Sequence, residues 1–217
     1  MTDVLRVEKL NVGYGDAIAV RDLDLHVGRG EVVSLLGANG AGKTTTLMAI
    51  AGALGTRSGV VSLNGRPLAG PLHRRAGLGV SLVPEQKSVF MGMSVEANLR
   101  LGRGSVDRAL ELFPELRRLL QRPARLCSGG EQQILTLARA LAADPEVLLV
   151  DELSLGLAPM VVGRLLEGLR AAASRGVGVL VVDQHARRVL RFSDRAYVLH
   201  RGEMVLTGTG SEMLSRI

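Results

Sequence analysis

A glycine-rich loop between an apolar run and a helical segment is the feature that most constrains this chain. After Val32–Leu36 the sequence continues Gly37-Ala38-Asn39-Gly40-Ala41-Gly42-Lys43-Thr44-Thr45, which fits the pattern G-x-x-x-x-G-K-[ST]. Glycines let successive backbone N–H groups turn toward phosphate oxygens, and the start of the following helix adds its positive end. We expect Lys43 to meet the β- and γ-phosphates, Thr44 to ligate Mg²⁺ and Thr45 to face the α-phosphate. The loop therefore predicts a nucleotide-binding protein.

Short apolar runs alternate with segments of helical period along most of the chain. Apolar runs occupy residues 147–150, residues 177–182 and, apart from Ser34, Val32–Leu36, which is typical of strands buried on both faces of a parallel sheet. Residues 4–10 and 23–27 alternate between apolar and polar side chains, as half-buried strands do. This order predicts an α/β fold with a mostly parallel sheet.

One region breaks that alternation. Residues 94–143 have a helical pattern punctuated by Pro114 and Pro123 and contain no convincing strand. We predict a single domain in which residues 94–143 form an inserted helical lobe, while residues 1–93 and 144–217 form the α/β core.

Composition limits the partners that the chain can have. The formal charge of +6 permits a phosphate-rich or membrane-surface partner, but 2% aromatic residues are poor material for stacking nucleic-acid bases. The single cysteine, Cys127, cannot form an intramolecular disulfide, which favours a reducing compartment. The start of the sequence lacks a signal peptide's apolar stretch, and no apolar run is long enough to span a bilayer. We therefore expect a soluble protein whose membrane role, if any, is peripheral, and no nucleic-acid partner.

A pair of acids ends one of the predicted buried strands. Residues 147–150 are followed directly by Asp151 and Glu152. In the presence of the phosphate-binding loop, we expect Asp151 to hold Mg²⁺, usually through water. Glu152 is then placed to polarise the attacking water as a general base.

A second anion-binding motif lies about twenty residues before that acid pair, at residues 126–133. Ser128 and Glu131 have the spacing of a capping box, which predicts the start of a helix. Gly129 and Gly130 leave backbone N–H groups accessible in its first turn. Two anion sites in a chain with one nucleotide loop suggest that the second serves a partner's nucleotide.

In this order of motifs the chain resembles the ATP-binding subunits of ABC transporters, essentially over its whole length. The resemblance identifies the glycine loop as the Walker A motif, residues 126–133 as the signature motif, and Asp151 and Glu152 as the end of the Walker B strand. It assigns Tyr14 to stacking on adenine, with a half-buried loop tyrosine as the alternative. It implies a P-loop NTPase core with an N-terminal antiparallel β portion and an inserted helical lobe. It also implies ATP and Mg²⁺, and a head-to-tail dimer in which each Walker A loop faces the partner's signature motif.

Three stretches make the chain similar to the ATPases of branched-chain amino-acid importers, namely residues 83–99, 151–159 and 182–184. Glu85 stands where most ABC ATPases have the glutamine of the Q-loop, and it retains the ability to ligate the metal. The alternative is that Gln86 takes this role through a shift of one residue.

The switch position, which the family places near the γ-phosphate, has two candidates. Counting back from Ser193-Asp194-Arg195 places Gln184 there. His185 is the alternative, and both residues stay open as contacts of the γ-phosphate.

The resemblance implies the ATP-hydrolysing subunit of an importer, held at the cytoplasmic face of the membrane by its permeases. Its expected partners are integral-membrane permease subunits, a second ATPase subunit (a sister protein or a second copy) and, indirectly, a solute-binding protein. The alternatives are a transporter for urea, amides or an exported compound, a non-transport ABC ATPase, and a cassette that binds ATP without turnover.

Overall fold

The chain folds into two β-sheets and a set of helices, as seen in a computed structural model that describes residues 2–86, 88–153, 156–183 and 186–216. The strands are β1 (Asp3–Tyr14), β2 (Ala17–Gly28), β3 (Val32–Leu36), β4 (Ser58–Leu63), β5 (Arg66–Pro67), β6 (Val80–Val83), β7 (Val147–Asp151), β8 (Gly178–Val182), β9 (Arg195–His200) and β10 (Glu203–Thr209). The helices are α1 (Lys43–Ala51), α2 (Leu72–Gly77), α3 (Val95–Arg100), α4 (Val106–Leu112), α5 (Gly129–Leu141), α6 (Pro159–Ser174), α7 (Ala186–Leu190) and α8 (Gly210–Leu214), with short 3-10 helices at Pro114–Leu119 and Ala124–Leu126.

The larger sheet has the strand order β10-β9-β3-β8-β7-β6, and all of its neighbours are parallel except β10 and β9. This confirms the predicted α/β class with a mostly parallel sheet. Val182 pairs with Leu35 on one side and with Asp151 on the other. The carboxyl ends of β3, β8 and β7 therefore lie side by side, and the segments that follow them meet at one edge of the sheet.

The smaller sheet is antiparallel and has the order β2-β1-β4-β5, which confirms the expected N-terminal antiparallel portion. Helix α1 packs between the two sheets. Leu47 and Ile50 of α1 share one buried cluster with Leu5 of β1 and Leu149 of β7. Because α1 is covered on nearly all sides, its sequence lacks the polar face of a surface helix.

Helices account for the regular elements between residues 95 and 141. Beyond them, the described part of this region contains one isolated β-bridge, between Ser94 and Pro123. Phe113 and Leu137 from the region belong to the same buried cluster as Leu148 of the parallel sheet. The boundary of a helical lobe at residues 94–143 stays a prediction, because the core runs continuously across it. Among the described residues, no helix is both long enough and apolar enough to span a membrane.

Arg75 of α2 stabilises the C-terminal end of α1. Its side chain is 8% exposed, and it donates hydrogen bonds to the carbonyls of Ala49 (3.0 Å), Ile50 (2.8 Å) and Gly70 (3.0 Å). Burial lowers the pKa of Arg75. A positive charge at a helix C-terminus is favourable, and the last carbonyls of a helix have no donor within the helix itself.

We expect Arg75→Ala to lower the free energy of unfolding by about 3 kcal/mol, because buried carbonyls lose charge-assisted hydrogen bonds. Urea denaturation measures this change. The control is Arg74→Ala at the exposed neighbouring position, which should change stability by less than about 0.5 kcal/mol. Equal losses in the two variants would contradict the capping role of Arg75.

Candidate functional site

The glycine loop curves tightly between β3 and α1 because its glycines adopt backbone conformations that other residues disfavour. Gly37 has a φ of 153° and Gly42, the N-cap of α1, has a φ of 103°. A Cβ atom on Gly42 would lie 2.8 Å from Cγ2 of Val20, and one on Gly37 would lie 2.4 Å from the carbonyl oxygen of Leu199. The first N–H groups of α1 have no acceptor within the helix and open toward the loop. The arrangement is that of an anion-binding helix start.

Lys43 reaches back across this loop. Its side chain is 5% exposed, and Nζ donates hydrogen bonds to the carbonyls of Gly37 (2.8 Å) and Ala38 (3.1 Å). Ala41 is also buried, and its N–H donates to the carbonyl of Ala38 (3.1 Å). The ammonium group is thus held within the curve of the loop, where an anion would meet it.

The end of β7 touches the start of α1. The Thr44 hydroxyl donates to Oδ1 of Asp151 at 3.2 Å, although the two residues lie 107 positions apart. Glu152 follows with a φ of 45°, in the left-handed region, and its N–H donates to the carbonyl of Val182 (2.8 Å). Left-handed backbone is uncommon for a residue with a side chain, and it turns the chain sharply at the edge of the sheet. The structure therefore brings together the loop and both predicted acids.

The Asp151 carboxyl is buried without being fully satisfied. It is 1% exposed, and its Oδ2 atom has no hydrogen-bond partner among the residues that the structure describes. Burial raises the pKa of Asp151, and the nearby charges of Glu152 and Glu85 raise it further. The hydrogen bond from Thr44 and the charge of Lys43 oppose this rise. A buried carboxylate oxygen that accepts no hydrogen bond is available to ligate a cation.

The residues present fit a magnesium ion whose other ligands are phosphate oxygens and water. The available donors are oxygens of Thr44, Asp151 and Glu85, which suit a hard cation. In the described part of the chain, no group of three or more His, Cys, Asp or Glu side chains could hold a metal ion. Mg²⁺ usually takes only one or two protein carboxylates beside phosphate oxygens and waters, so this incomplete set agrees with it.

We expect Asp151→Asn to stabilise the metal-free chain at neutral pH. Because the pKa of Asp151 is raised in the folded chain, folding is favoured by the protonated form. The stabilising contribution of the protonated carboxyl is complete below the pKa that Asp151 has in the unfolded chain. It is lost as the pH rises through the pKa that Asp151 has in the folded chain. Asparagine carries no charge, so the variant's Tm should exceed that of the wild type at neutral pH, and the difference should shrink toward acid pH.

Thermal unfolding in the presence of a chelator, over a series of pH values, tests this expectation. Asp16→Asn is a suitable control because Asp16 is an exposed carboxyl in the turn between β1 and β2. A difference in Tm between wild type and Asp151→Asn that does not vary with pH would contradict the assignment to the buried charge.

One cleft is lined by eight of the predicted site residues. It has a volume of about 330 Å³ and is lined by Ala19, Asn39, Gly40, Gly42, Lys43, Thr44, Thr45, Glu85 and Glu152. Glu85 reaches it from the loop after β6, whereas Gln86 is not among its lining residues. Ala19 was not predicted from sequence, because only the fold places the start of β2 behind the loop.

Tyr14 and the three predicted residues at the start of α5 lie away from this cleft. Tyr14 ends β1 and is 58% exposed, at the tip of the hairpin that leads to Ala19. Ser128 begins α5 with the predicted capping box, in which its N–H donates to Glu131 (2.8 Å) and its hydroxyl accepts from the Glu131 N–H (3.2 Å). Neither Ser128 nor the adjoining Gly129 and Gly130 line the cleft.

The switch candidates Gln184 and His185 lie outside the described residues. The described neighbours are Asp183, which is buried, and α7. The choice between Gln184 and His185 therefore stays a prediction.

Comparisons with known proteins agree with this arrangement. The model of the ABC transporter family matches residues 20–154. The high-affinity branched-chain amino acid transport ATP-binding protein BraG of Pseudomonas aeruginosa is 39% identical and covers 98% of this chain and 95% of its own. The probable branched-chain amino acid transport ATP-binding protein LivF of Archaeoglobus fulgidus is 35% identical, over 97% of this chain and 94% of its own.

The lipopolysaccharide export system ATP-binding protein LptB of Escherichia coli is also 35% identical, over 97% of this chain and 92% of its own. Among solved structures, an ATP-binding subunit of an ABC transporter superposes with a TM-score of 0.84 at 29% identity, over 98% of this chain and 92% of its own. The chain therefore belongs to the ABC transporter family, whose ATP-binding domains hydrolyse ATP, and it is the ATPase subunit of such a transporter.

Proposed function

We propose that this subunit drives an importer of branched-chain amino acids. The observation that carries the proposal is the 39% identity to BraG over 98% of the chain. LivF and the exporter subunit LptB are each 35% identical, so cargo is the part of the proposal that most needs a test. ABC ATPase subunits of transporters act with membrane permeases, and we place this one at the cytoplasmic face beside them.

In the proposed reaction, the cleft binds ATP through the glycine loop. Lys43 and the N–H groups at the start of α1 hold the β- and γ-phosphates, while Thr44, Asp151 and Glu85 hold Mg²⁺. When bound, Mg²⁺ supplies positive charge that offsets the charge on these phosphates.

Hydrolysis itself requires a base and a γ-phosphate contact. Glu152 accepts a proton from water as the water oxygen bonds to the γ-phosphorus and the bond to the β-phosphate oxygen breaks. ADP and inorganic phosphate are the products. Gln184 or His185 contacts the γ-phosphate.

The site is completed by a second subunit in this proposal. Ser128, Gly129 and Gly130 begin α5 and lie outside the chain's own cleft, which supports their use on a partner's nucleotide. Tyr14, exposed at its hairpin tip, is proposed to stack on adenine. Closure of the two subunits around ATP and their reopening after hydrolysis then drive the permeases.

A groove beside the helical region is the proposed binding site for a segment of the permease. It has a volume of about 640 Å³, and Leu72, Leu78, Pro84 and Leu101 lie along it; we call it the lobe groove. Leu72, Leu78 and Leu101 are 40%, 55% and 53% exposed. Exposed apolar side chains gathered along a groove are typical of protein–protein contact sites. Pro84 places the groove next to Glu85, so a segment bound there sits close to the nucleotide cleft.

Transport assays test the cargo directly. The complex is purified through a tag on this chain and reconstituted in lipid vesicles with the solute-binding protein. Uptake of leucine, isoleucine and valine is then compared with uptake of urea and acetamide. We expect ATP-dependent uptake of the three amino acids. ATP hydrolysis that none of these solutes stimulates would reject the proposed cargo while leaving the ATPase assignment in place.

We expect Leu78→Glu to uncouple hydrolysis from transport. A charge in the lobe groove should disfavour an apolar permease segment by about 2 kcal/mol or more, which lowers copurification of the permeases at least tenfold. Hydrolysis by the purified chain should change less than about twofold, since Leu78 is exposed and does not line the cleft. Val205→Glu, at a 56% exposed site on β10, is the matched control. Loss of permeases in both variants would contradict the lobe groove as the docking site.

A further inference from the structure

The loop that carries Glu85 is fastened at both of its ends. On one side, Val83 pairs with Val150 in the parallel sheet. On the other, Asn98 of α3 is fully buried, accepts a hydrogen bond from the N–H of Phe90 (2.8 Å) and donates one to its carbonyl (3.0 Å). Glu85 thus lies on a short bridge between a segment fixed to the sheet and a segment fixed to the helices.

Arg139 of α5 contacts Ser88, which lies three residues after Glu85. Its guanidinium donates hydrogen bonds to the carbonyl of Ser88 and to the Ser88 hydroxyl (3.0 Å). The stem packs closely on Gly102, where a Cβ atom would come within 2.7 Å of Cγ of Arg139. The same side chain also lines the lobe groove.

The setting of Arg139 is unusual for an arginine that only supports packing. The residue is half-buried, and burial lowers the pKa of its guanidinium. No carboxylate pairs with it within the described ranges, where its hydrogen bonds all go to Ser88. A partly buried charge is costly without a carboxylate, and an apolar residue would pack at less cost.

Helix α5 also links Arg139 to the second anion site. Ser128 is its N-cap, and the helix continues without interruption from Gly129 to Leu141. Eleven residues of α-helix span about 16 Å, so the proposed subunit closure at Ser128 would act on Arg139 through one continuous helix.

We propose that Arg139 is a positioning residue that holds Glu85 in the nucleotide cleft by fixing Ser88, three residues further along the chain. The inference rests on the proposed role of Glu85 at the metal and the attacking water. Through Arg139, a partner that closes on Ser128 or docks in the lobe groove sets the position of Glu85.

A double-mutant cycle on ATP hydrolysis tests the proposal. It uses the transporter complex purified through a tag on this chain and carrying Arg139→Gln, Glu85→Ala or both. A misplaced site group commonly costs one to two orders of magnitude, so Arg139→Gln should lower kcat about tenfold and change KM for ATP less than about twofold. In the Glu85→Ala background, Arg139→Gln should lower kcat less than about twofold further, because the group that it positions is gone.

Two further variants separate positioning from general destabilisation. Arg139→Lys keeps one donor for Ser88 and should recover part of the lost kcat. Arg100→Gln, at an exposed arginine of α3 that pairs with Glu96, is the matched control and should behave like the wild type. Hydrogen exchange of the amides of residues 85, 86 and 88–90 in the purified chain should be faster in Arg139→Gln and unchanged in Arg100→Gln.

The outcomes distinguish the inference from the proposed function. If Glu85→Ala does not alter kcat, the proposed role of Glu85 fails, and the inference fails with it. If Glu85→Ala lowers kcat but the two substitutions act additively, the inference alone is overturned. Unchanged amide exchange of residues 85, 86 and 88–90 in Arg139→Gln also overturns it, whatever the kinetic result.

Discussion

Replacing Glu152 with glutamine should leave ATP binding intact and reduce hydrolysis by about 10²–10⁴-fold, the contribution usual for a general base. Glutamine keeps the size and the polar tip of the side chain but cannot accept a proton from water. The backbone turn at Glu152 should persist, since it is held by the hydrogen bond from the Glu152 N–H to Val182. Because the closed dimer reopens after hydrolysis in the proposed cycle, the variant should accumulate as a closed dimer with ATP.

Three measurements check this expectation, namely ATP affinity, phosphate release and size-exclusion chromatography with ATP. Lys43→Ala serves as a contrast, because it should lose affinity for ATP and therefore never form the closed dimer. Wild-type phosphate release by Glu152→Gln would remove Glu152 from the role of base. Loss of ATP affinity in that variant would instead assign Glu152 to binding.

The elements that could be predicted from sequence are those whose pattern is local. Val32–Leu36 is apolar except for Ser34 because β3 is buried on both faces between β9 and β8. The capping box of Ser128 and Glu131 depends on residues three apart, so its spacing alone predicts the start of α5. The glycine loop is local as well, and its neighbours β3 and α1 follow the expected order.

Other features depend on contacts between distant parts of the chain. The first three residues of β4 are exposed, and β6 has only four residues, so neither has a periodicity strong enough to predict. The bond between Thr44 and Asp151 joins residues 107 positions apart, and that between Arg139 and Ser88 spans 51. Arg139 lies in a helical run whose pattern indicates only a surface-facing arginine. Its role becomes visible once the fold places Ser88 against α5.

The second anion site leads to an equally large expected effect. Ser128→Asp should leave ATP binding by this chain unchanged within about twofold, because Ser128 lies outside its own cleft. Hydrolysis by the transporter complex should nevertheless fall by about 100-fold, the cost usual for removing one stabilising donor from a transition state. The aspartate also places a negative charge where the proposal puts the partner's γ-phosphate.

Aspartate is the informative choice because it caps a helix as well as serine does. Folding of α5 should therefore persist, and a loss of hydrolysis would report on charge rather than on a frayed helix. The matched control is Ser105→Asp, since Ser105 caps α4 in the same way by accepting a hydrogen bond from the Arg108 N–H (3.1 Å). Equal losses in both variants would show that the effect comes from added charge anywhere on the helical region. Wild-type hydrolysis by Ser128→Asp would contradict a nucleotide shared between subunits, since a carboxylate cannot face a γ-phosphate without a large penalty.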